Sequence, residues 1–97
     1  MPKPAQPAQP TPVVLRGNAG SAKAELYLER GTVRVNIVNR GSGYLGVGIG
    51  ELSTGAIDMI YLASGYFAGT KTYEVRSAGT FFVVIQGDDE WQVILSY

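Results

Sequence analysis

The residues of this chain that could bind a ligand are mainly aromatic, because the side chains used most often in catalysis are missing. The sequence contains no histidine and no cysteine. This excludes Ser-His and Cys-His nucleophile pairs, thiolate metal sites and disulfides. Carboxylates or lysine alone would have to support hydrolysis. We therefore predict that the protein is not an enzyme and carries no cofactor.

Two aromatic residues, Tyr66 and Phe67, lie in the glycine-flanked segment 65–69, which reads as a loop. Aromatic rings on loops stack on sugar faces or anchor a partner protein. Alternatively, one ring folds back over the open end of the core and the glycines only shape the turn. The arrangement that we expect is mixed, with Phe67 inward and Tyr66 outward.

A second candidate site is the segment 44–50, YLGVGIG, in which three glycines share a strand face with Tyr44. Glycine in a strand is typical of places where something approaches the backbone closely. The bare strip could be the floor of a groove, with Tyr27, Tyr61 or Tyr73 lying across it as a platform for a glycan. Two alternatives remain open. Large side chains of neighbouring strands could cover the glycines, or the flat face could pair with a second copy of the chain.

The acidic cluster Asp88, Asp89 and Glu90 could bind Ca²⁺ only if carbonyl groups completed a shell of roughly six to eight oxygens. Consecutive residues of a tight hairpin seldom point their carboxylates at one spot. We therefore predict a solvated turn that discourages edge aggregation, and no metal site. Trp91, the only tryptophan, is predicted to be part of the core.

The balance of charge argues against a nucleic-acid partner. Eight Lys and Arg residues match eight Asp and Glu residues, and the cations are spread along the chain. Nucleic-acid binding draws much of its affinity from neutralised phosphates, so a neutral chain without a basic stripe is a poor candidate. No apolar run approaches the ~20 residues of a membrane-spanning helix, and we predict no membrane insertion.

All five prolines lie in residues 1–12, MPKPAQPAQPTP. Proline at this density favours an extended, solvated conformation. We predict a disordered tail or linker over residues 1–12, which is either a tether or a segment without a role, followed by one domain over residues 13–97. The start has no apolar segment typical of a signal peptide, although a mature secreted domain would look the same.

Short alternating segments separated by Gly, Asn and Ser predict an all-β fold. Segment 80–86 is apolar on both faces and should be central. It should form a hairpin with 91–96 through a turn at 87–90, as should 22–29 with 32–38. We predict about eight strands in a two-sheet antiparallel β-sandwich of jelly-roll or Greek-key type, with an OB-like barrel as the second choice. The eight segments are 13–16, 22–29, 32–38, 44–50, 56–62, 70–76, 80–86 and 91–96.

Five of these stretches resemble the small β-sandwich modules of bacterial secreted and envelope proteins, such as pre-peptidase C-terminal domains and carbohydrate-binding jelly rolls. They are GTVRVNIV from Gly31, GYLGVGI from Gly43, GYFAGT from Gly65, AGTFFVVI from Ala78 and WQVIL from Trp91. The resemblance implies a non-catalytic accessory module that is secreted, periplasmic or in the cell envelope. The acidic strand of the pre-peptidase pattern is missing, with Asp58 alone in that neighbourhood. Neither a calcium site nor a protease partner is implied.

The leading hypothesis is a non-catalytic binding or accessory module of an extracytoplasmic protein, with carbohydrate as the favoured ligand and a polysaccharide or another protein domain as partner. The alternative is a structural protein that self-associates into a homo-oligomer and has no small ligand. The candidate ligand-binding residues are Tyr44, Tyr61, Tyr66, Phe67 and Tyr73.

Overall fold

The structure, a computed structural model, describes residues 12–97 and contains six antiparallel strands without a helix in that range. The strands are β1 (Val13–Leu28), β2 (Gly31–Asn39), β3 (Tyr44–Glu51), β4 (Ile57–Ser64), β5 (Phe67–Val75) and β6 (Gly79–Ser96). The predicted all-β class is confirmed. The predicted tail lies outside the described residues except for Pro12. Within the described residues, no helix is long and apolar enough to cross a membrane.

Strand β6 is the centre of the sheet, as the two apolar faces of segment 80–86 predict. One edge of β6 pairs along its length with β1, from Val13 opposite Leu95 to Leu28 opposite Gly79. The other edge pairs with β3 in its first half and with β2 in its second half. Strand β4 continues from β3, and β5 continues from β2. We call β3 and β4, with the adjoining segments of β1 and β6, the β3–β4 half. The β2–β5 half consists of β2 and β5 with the remaining segments of β1 and β6.

Two of the predicted turns are parts of strands. Segments 13–16 and 22–29 form the single strand β1, and segments 80–86 and 91–96 form the single strand β6. The hairpin expected at 87–90 is therefore wrong. The turn-forming residues lie instead in a bulge, between the pairs Asn18–Glu90 and Gly20–Gly87, where one residue of β1 faces two of β6. The two-sheet arrangement of eight strands is not confirmed, since six strands form one curled sheet.

The expected hairpin between 22–29 and 32–38 is also wrong. Strand β2 pairs with β5 and β6, and β1 pairs with β6 alone. The end of β1 lies beside the first half of β6, whereas β2 lies beside its second half. The link Glu29–Arg30 therefore carries the chain from one half of the sheet to the other instead of turning it back on itself.

The sheet curls so that its inner face encloses one apolar core shared by both halves. Fully buried members from the five strands β2, β3, β5, β6 and β1 include Val35, Val47, Val75, Val83 and Leu28. Trp91 is 2% exposed, which confirms its predicted place in the core. Its indole packs against the bare backbone of Gly17 and Gly87, near the bulge.

Candidate functional site

Three of the five predicted binding residues lie on the inner side, where β4 and β5 approach each other without pairing. Tyr61 of β4 stacks on Phe67 of β5, with ring centroids 4.5 Å apart and an interplanar angle of 26°. Both rings pack against the core. Tyr61 reaches this position because Ile60 is an extra residue in β4 opposite the step from Val47 to Gly48. A bulge of this kind reverses the side to which the following side chains point.

Tyr73 of β5 completes this contact region, which we call the seam. Its ring meets Phe81 edge-on at 6.2 Å, and its Oη donates a hydrogen bond to Asp58 Oδ2 of β4 at 3.4 Å. Burial, and then the negative charge of Asp58, raises the pKa of the Tyr73 hydroxyl. The seam residues Tyr61, Phe67 and Tyr73 therefore join two sheet edges that do not pair through their backbones.

The remaining candidates, Tyr44 and Tyr66, lie at the same end of the molecule. Tyr66 is 70% exposed in the turn between β4 and β5, and Phe67 points inward, which matches the mixed arrangement expected from the sequence. The backbone amide of Gly65 donates to the carbonyl of Gly43 at 3.1 Å, which joins this turn to the start of β3. Tyr44 and Tyr66 therefore each come directly after one of the two glycines that this hydrogen bond joins.

Tyr44 lies along the outer face of β3. Its Oη is 2.7 Å from the place that a side chain on Gly46 would occupy. Residues two apart on a strand are about 7 Å apart, so the ring must lie along the strand rather than stand away from it. Gly46 therefore makes room for the hydroxyl end of the ring, and the side chain lines the outer face of β3.

The other two glycines of the strip are covered by neighbouring side chains, which is one of the alternatives left open by the sequence. Met59 of β4 and Val84 of β6 lie over Gly48, and the ring of Phe82 lies over Gly50. No tyrosine from another strand crosses the strip. Tyr27, one of the residues expected to do so, is instead exposed on the outer face of β1.

Beside the side chains that cover these glycines, an open groove of about 530 Å³ lies on the outer face of the β3–β4 half. Its apolar floor includes Tyr44, Gly46, Met59 and Val84. Its rim toward β1 and β6 is polar and contains Ser21, Lys23 and Gln86. This groove, which we call the Tyr44 groove, combines an aromatic ring, a flat apolar floor and hydrogen-bonding groups along one side.

Asn39, at the end of β2, holds the loop that leads into Tyr44. The residue is 1% exposed, and both polar atoms of its side chain form hydrogen bonds. Its Nδ2 donates to the carbonyls of Gly43 at 3.0 Å and Gly65 at 3.1 Å, and its Oδ1 accepts from the amide of Gly41 at 3.2 Å. Nothing in the sequence singles out this residue, because an Asn beside Arg-Gly looks like an ordinary loop residue.

The acidic residues of β6 support the same loop. Asp89 accepts a hydrogen bond from the amide of Gly43 at 2.7 Å, and Asp88 accepts one from the amide of Tyr44 at 3.2 Å. The expected turn is wrong because these residues belong to β6, whereas Asp88 and Glu90 are exposed to solvent as expected. Among residues 12–97 no group of three or more potential ligands could hold a metal ion.

The chemistry available to the Tyr44 groove is non-covalent binding. A ring and apolar floor can cover the flat face of a ligand, while the hydroxyl, ammonium and amide groups of the rim can bind its polar edge. Comparison with known protein families and with curated proteins finds no match to this chain. The resemblance to extracytoplasmic accessory modules therefore depends on the five sequence segments alone.

Proposed function

We propose that the protein is a non-catalytic binding module whose Tyr44 groove takes a carbohydrate. The observation that supports this most directly is the side chain of Tyr44, whose hydroxyl end lies over Gly46 in an apolar groove with a polar rim. A sugar ring has apolar C–H faces and hydroxyl groups at its edge. The groove offers the complementary pattern, with an apolar floor and hydrogen-bonding groups at one side.

The size of the groove agrees with a small ligand. Binding pockets of this kind usually measure roughly 300–1,000 Å³, and a volume of about 530 Å³ falls inside that range. The groove is open toward solvent, as is needed for a few units of a longer polymer to lie across it. We therefore propose a polysaccharide segment as the ligand, with Tyr66 at the neighbouring turn as an additional contact.

The proposal includes an extracytoplasmic accessory role, which is supported by the resemblance of the five sequence segments to such modules. We also infer that the two halves are the layers of a jelly-roll-like sandwich, in which β1 and β6 each supply a segment to both layers. The pairing supports this, because β2 and β3 each pair with β6 and do not pair with each other.

Native affinity electrophoresis against soluble polysaccharides and peptidoglycan fragments tests the proposal, with the parent beside Tyr44→Ala. We expect one polymer to retard the parent and not the variant. Tyr27→Ala is the matched control, because Tyr27 is an exposed tyrosine of the same half that does not line the groove. Equal migration of parent and Tyr44→Ala with every polymer would contradict the proposal.

Self-association is a second candidate function, and the exposed aliphatic residues beside the groove favour it. Ile57, Met59 and Leu62 of β4 are 48%, 53% and 56% exposed. Four strands about 4.8 Å apart and about seven residues long give a face of about 450 Å², so two copies would bury about 900 Å². That area is near the lower limit of about 1,000 Å² for a specific interface.

Light scattering over a range of protein concentrations separates the two candidates. A self-associating protein should show a mass that rises with concentration, and Leu62→Lys should keep it monomeric because a charge would be buried at the contact. A constant monomer mass would remove this candidate and leave the groove open to a ligand.

A further inference from the structure

We propose that the Tyr44 groove selects a saccharide that carries a carboxylate, with Lys23 as the residue that recognises the charge. This proposal rests on the proposed function, since it names the class of carbohydrate that the same groove takes. Among residues 12–97, Lys23 is the only charged residue that lines the groove. Its partner across the ladder is Val84 of the groove floor, which places the lysine at the edge of the binding surface.

The ammonium group of Lys23 lies over an aromatic ring beside the groove. Its Nζ lies 5.0 Å from the centroid of the Phe82 ring, a distance typical of a cation–π contact. Phe82 is itself 7% exposed because it packs over Gly50. The ring therefore limits the freedom of the lysine side chain, and less ordering entropy is lost when a ligand binds to it.

No carboxylate of the described residues forms an ion pair with Lys23. The nearest acid along the same face of β1 is Glu25, which lies opposite Phe82 and does not line the groove. The floor and the facing strand β4 contribute only uncharged residues to the groove. A ligand with one negative group at its polar edge would therefore meet an unpaired positive charge, whereas a neutral sugar would leave it unused.

Lys71 provides an internal comparison for this assignment. Its Nζ lies over the ring of Phe67 at 5.7 Å, much as Lys23 lies over Phe82. However, Lys71 is on the inner side of β5 near the seam and does not line the groove. The two lysines share a cation–π contact and differ in access to the groove, so they form a matched pair.

The test compares oligogalacturonate with its methyl ester, which keeps the sugar rings and removes the charge. Binding of both probes is measured by isothermal titration calorimetry to the parent, Lys23→Gln, Lys23→Arg and Lys71→Gln. The parent and Lys71→Gln should bind the acid about tenfold more tightly than the ester, as a charge-assisted hydrogen bond would give. Lys23→Gln should bind both probes with the affinity that the parent has for the ester. Lys23→Arg should retain the preference.

Three results would overturn the proposal while leaving the proposed function intact. In the first two, the parent binds acid and ester equally, or Lys23→Gln keeps the full preference for the acid. If Lys71→Gln loses the preference as Lys23→Gln does, the selectivity comes from net charge and the assignment of Lys23 is wrong. If the parent binds neither probe and no neutral polysaccharide retards it, the proposed function itself fails.

Discussion

The outer faces of the two halves of the sheet differ, although the same two strands, β1 and β6, run through both. In the β3–β4 half, β6 presents Phe82 and Val84 to the outer face, beside a strip of glycines and the exposed aliphatic residues of β4. In the β2–β5 half, the same strand presents Gln92 and Ile94, whose neighbours across the strands are mixed and include Arg16, Asn36 and Val14. One strand therefore contributes to a more apolar outer face and to a more polar one.

The outer face of the β2–β5 half shows how this sheet is stabilised where it is exposed to water. Its side chains form cross-strand hydrogen bonds, from Arg16 to Gln92 at 2.9 Å and from Thr32 to Glu74 at 2.9 Å. Such pairs stabilise a sheet through polar side chains on its outer face, although Val14 is 47% exposed there. The more apolar character of the other outer face is therefore not a requirement of the fold, and this supports the binding role proposed for it.

The largest effect should follow from removing the buried side chain that supports the start of β3. We expect Asn39→Ala to lower the free energy of unfolding by about 3 kcal/mol, because it leaves buried backbone groups without partners. Asn36→Ala, in the same strand but on the polar outer face, loses one exposed hydrogen bond to Thr70 and should cost only about 0.5 kcal/mol. Urea unfolding measures both, and equal losses would contradict the distinction.

A smaller effect should follow from adding a methyl group to the glycine strip. At Gly50 a Cβ would be 2.5 Å from the carbonyl oxygen of Ala56, a backbone atom that cannot easily move. We expect Gly50→Ala to lower the free energy of unfolding by about 2 kcal/mol. Gly46→Ala would meet the ends of two flexible side chains, Tyr44 and Leu62, so it should affect stability little and weaken glycan binding by moving the ring. If both variants have parental stability, the strip is less tightly covered than described.

Matched substitutions in β6 compare the two outer faces directly. Val84 and Ile94 are both half-buried on the outer side, one in each half. We expect Val84→Lys and Ile94→Lys each to change the free energy of unfolding by less than about 1 kcal/mol. Only Val84→Lys should abolish the retardation by polysaccharide. Loss of binding in both variants would mean that the groove is not the site.

The smallest effect concerns the seam between the halves and appears only in alkaline solution. The pKa of Tyr73 is raised above its ordinary value of 10.0, so the folded state holds this proton more tightly than the unfolded state. Stability from this group is complete below that value and is lost as the pH rises through the folded-state pKa. Urea unfolding at about pH 8 and about pH 11 should show a steeper loss for the parent and for the control Tyr27→Phe than for Tyr73→Phe. Parallel losses in all three would show that Tyr73 does not contribute.

The sequence predicts those parts of the fold that depend on local alternation. Leu45, Val47 and Ile49 are buried and the glycines share the opposite face, as the period of a strand requires. The long strands were missed because segments 17–20 and 87–90 contain turn-forming residues. Their backbone partners are about seventy positions away in the chain, and a local pattern contains no information about them.

The candidate site was predicted in part for the same reason. Tyr44 and its glycines belong to one strand, and their shared face could be read from spacing. The place of Tyr61 depends on a one-residue bulge at Ile60, which nothing in the segment 56–62 indicates. The buried position of Asn39 depends on three backbone groups that meet only in the folded protein.

The pairing of β1 with β6 has a consequence for how the protein is made. During synthesis, β1 emerges first and finds no partner until residues 79–96 have left the ribosome. Contacts between distant parts of a chain also form slowly, so folding should be a late event on a timescale of roughly milliseconds to seconds. Until then the apolar side chains of β1 and β2 are open to chaperones and to neighbouring nascent chains.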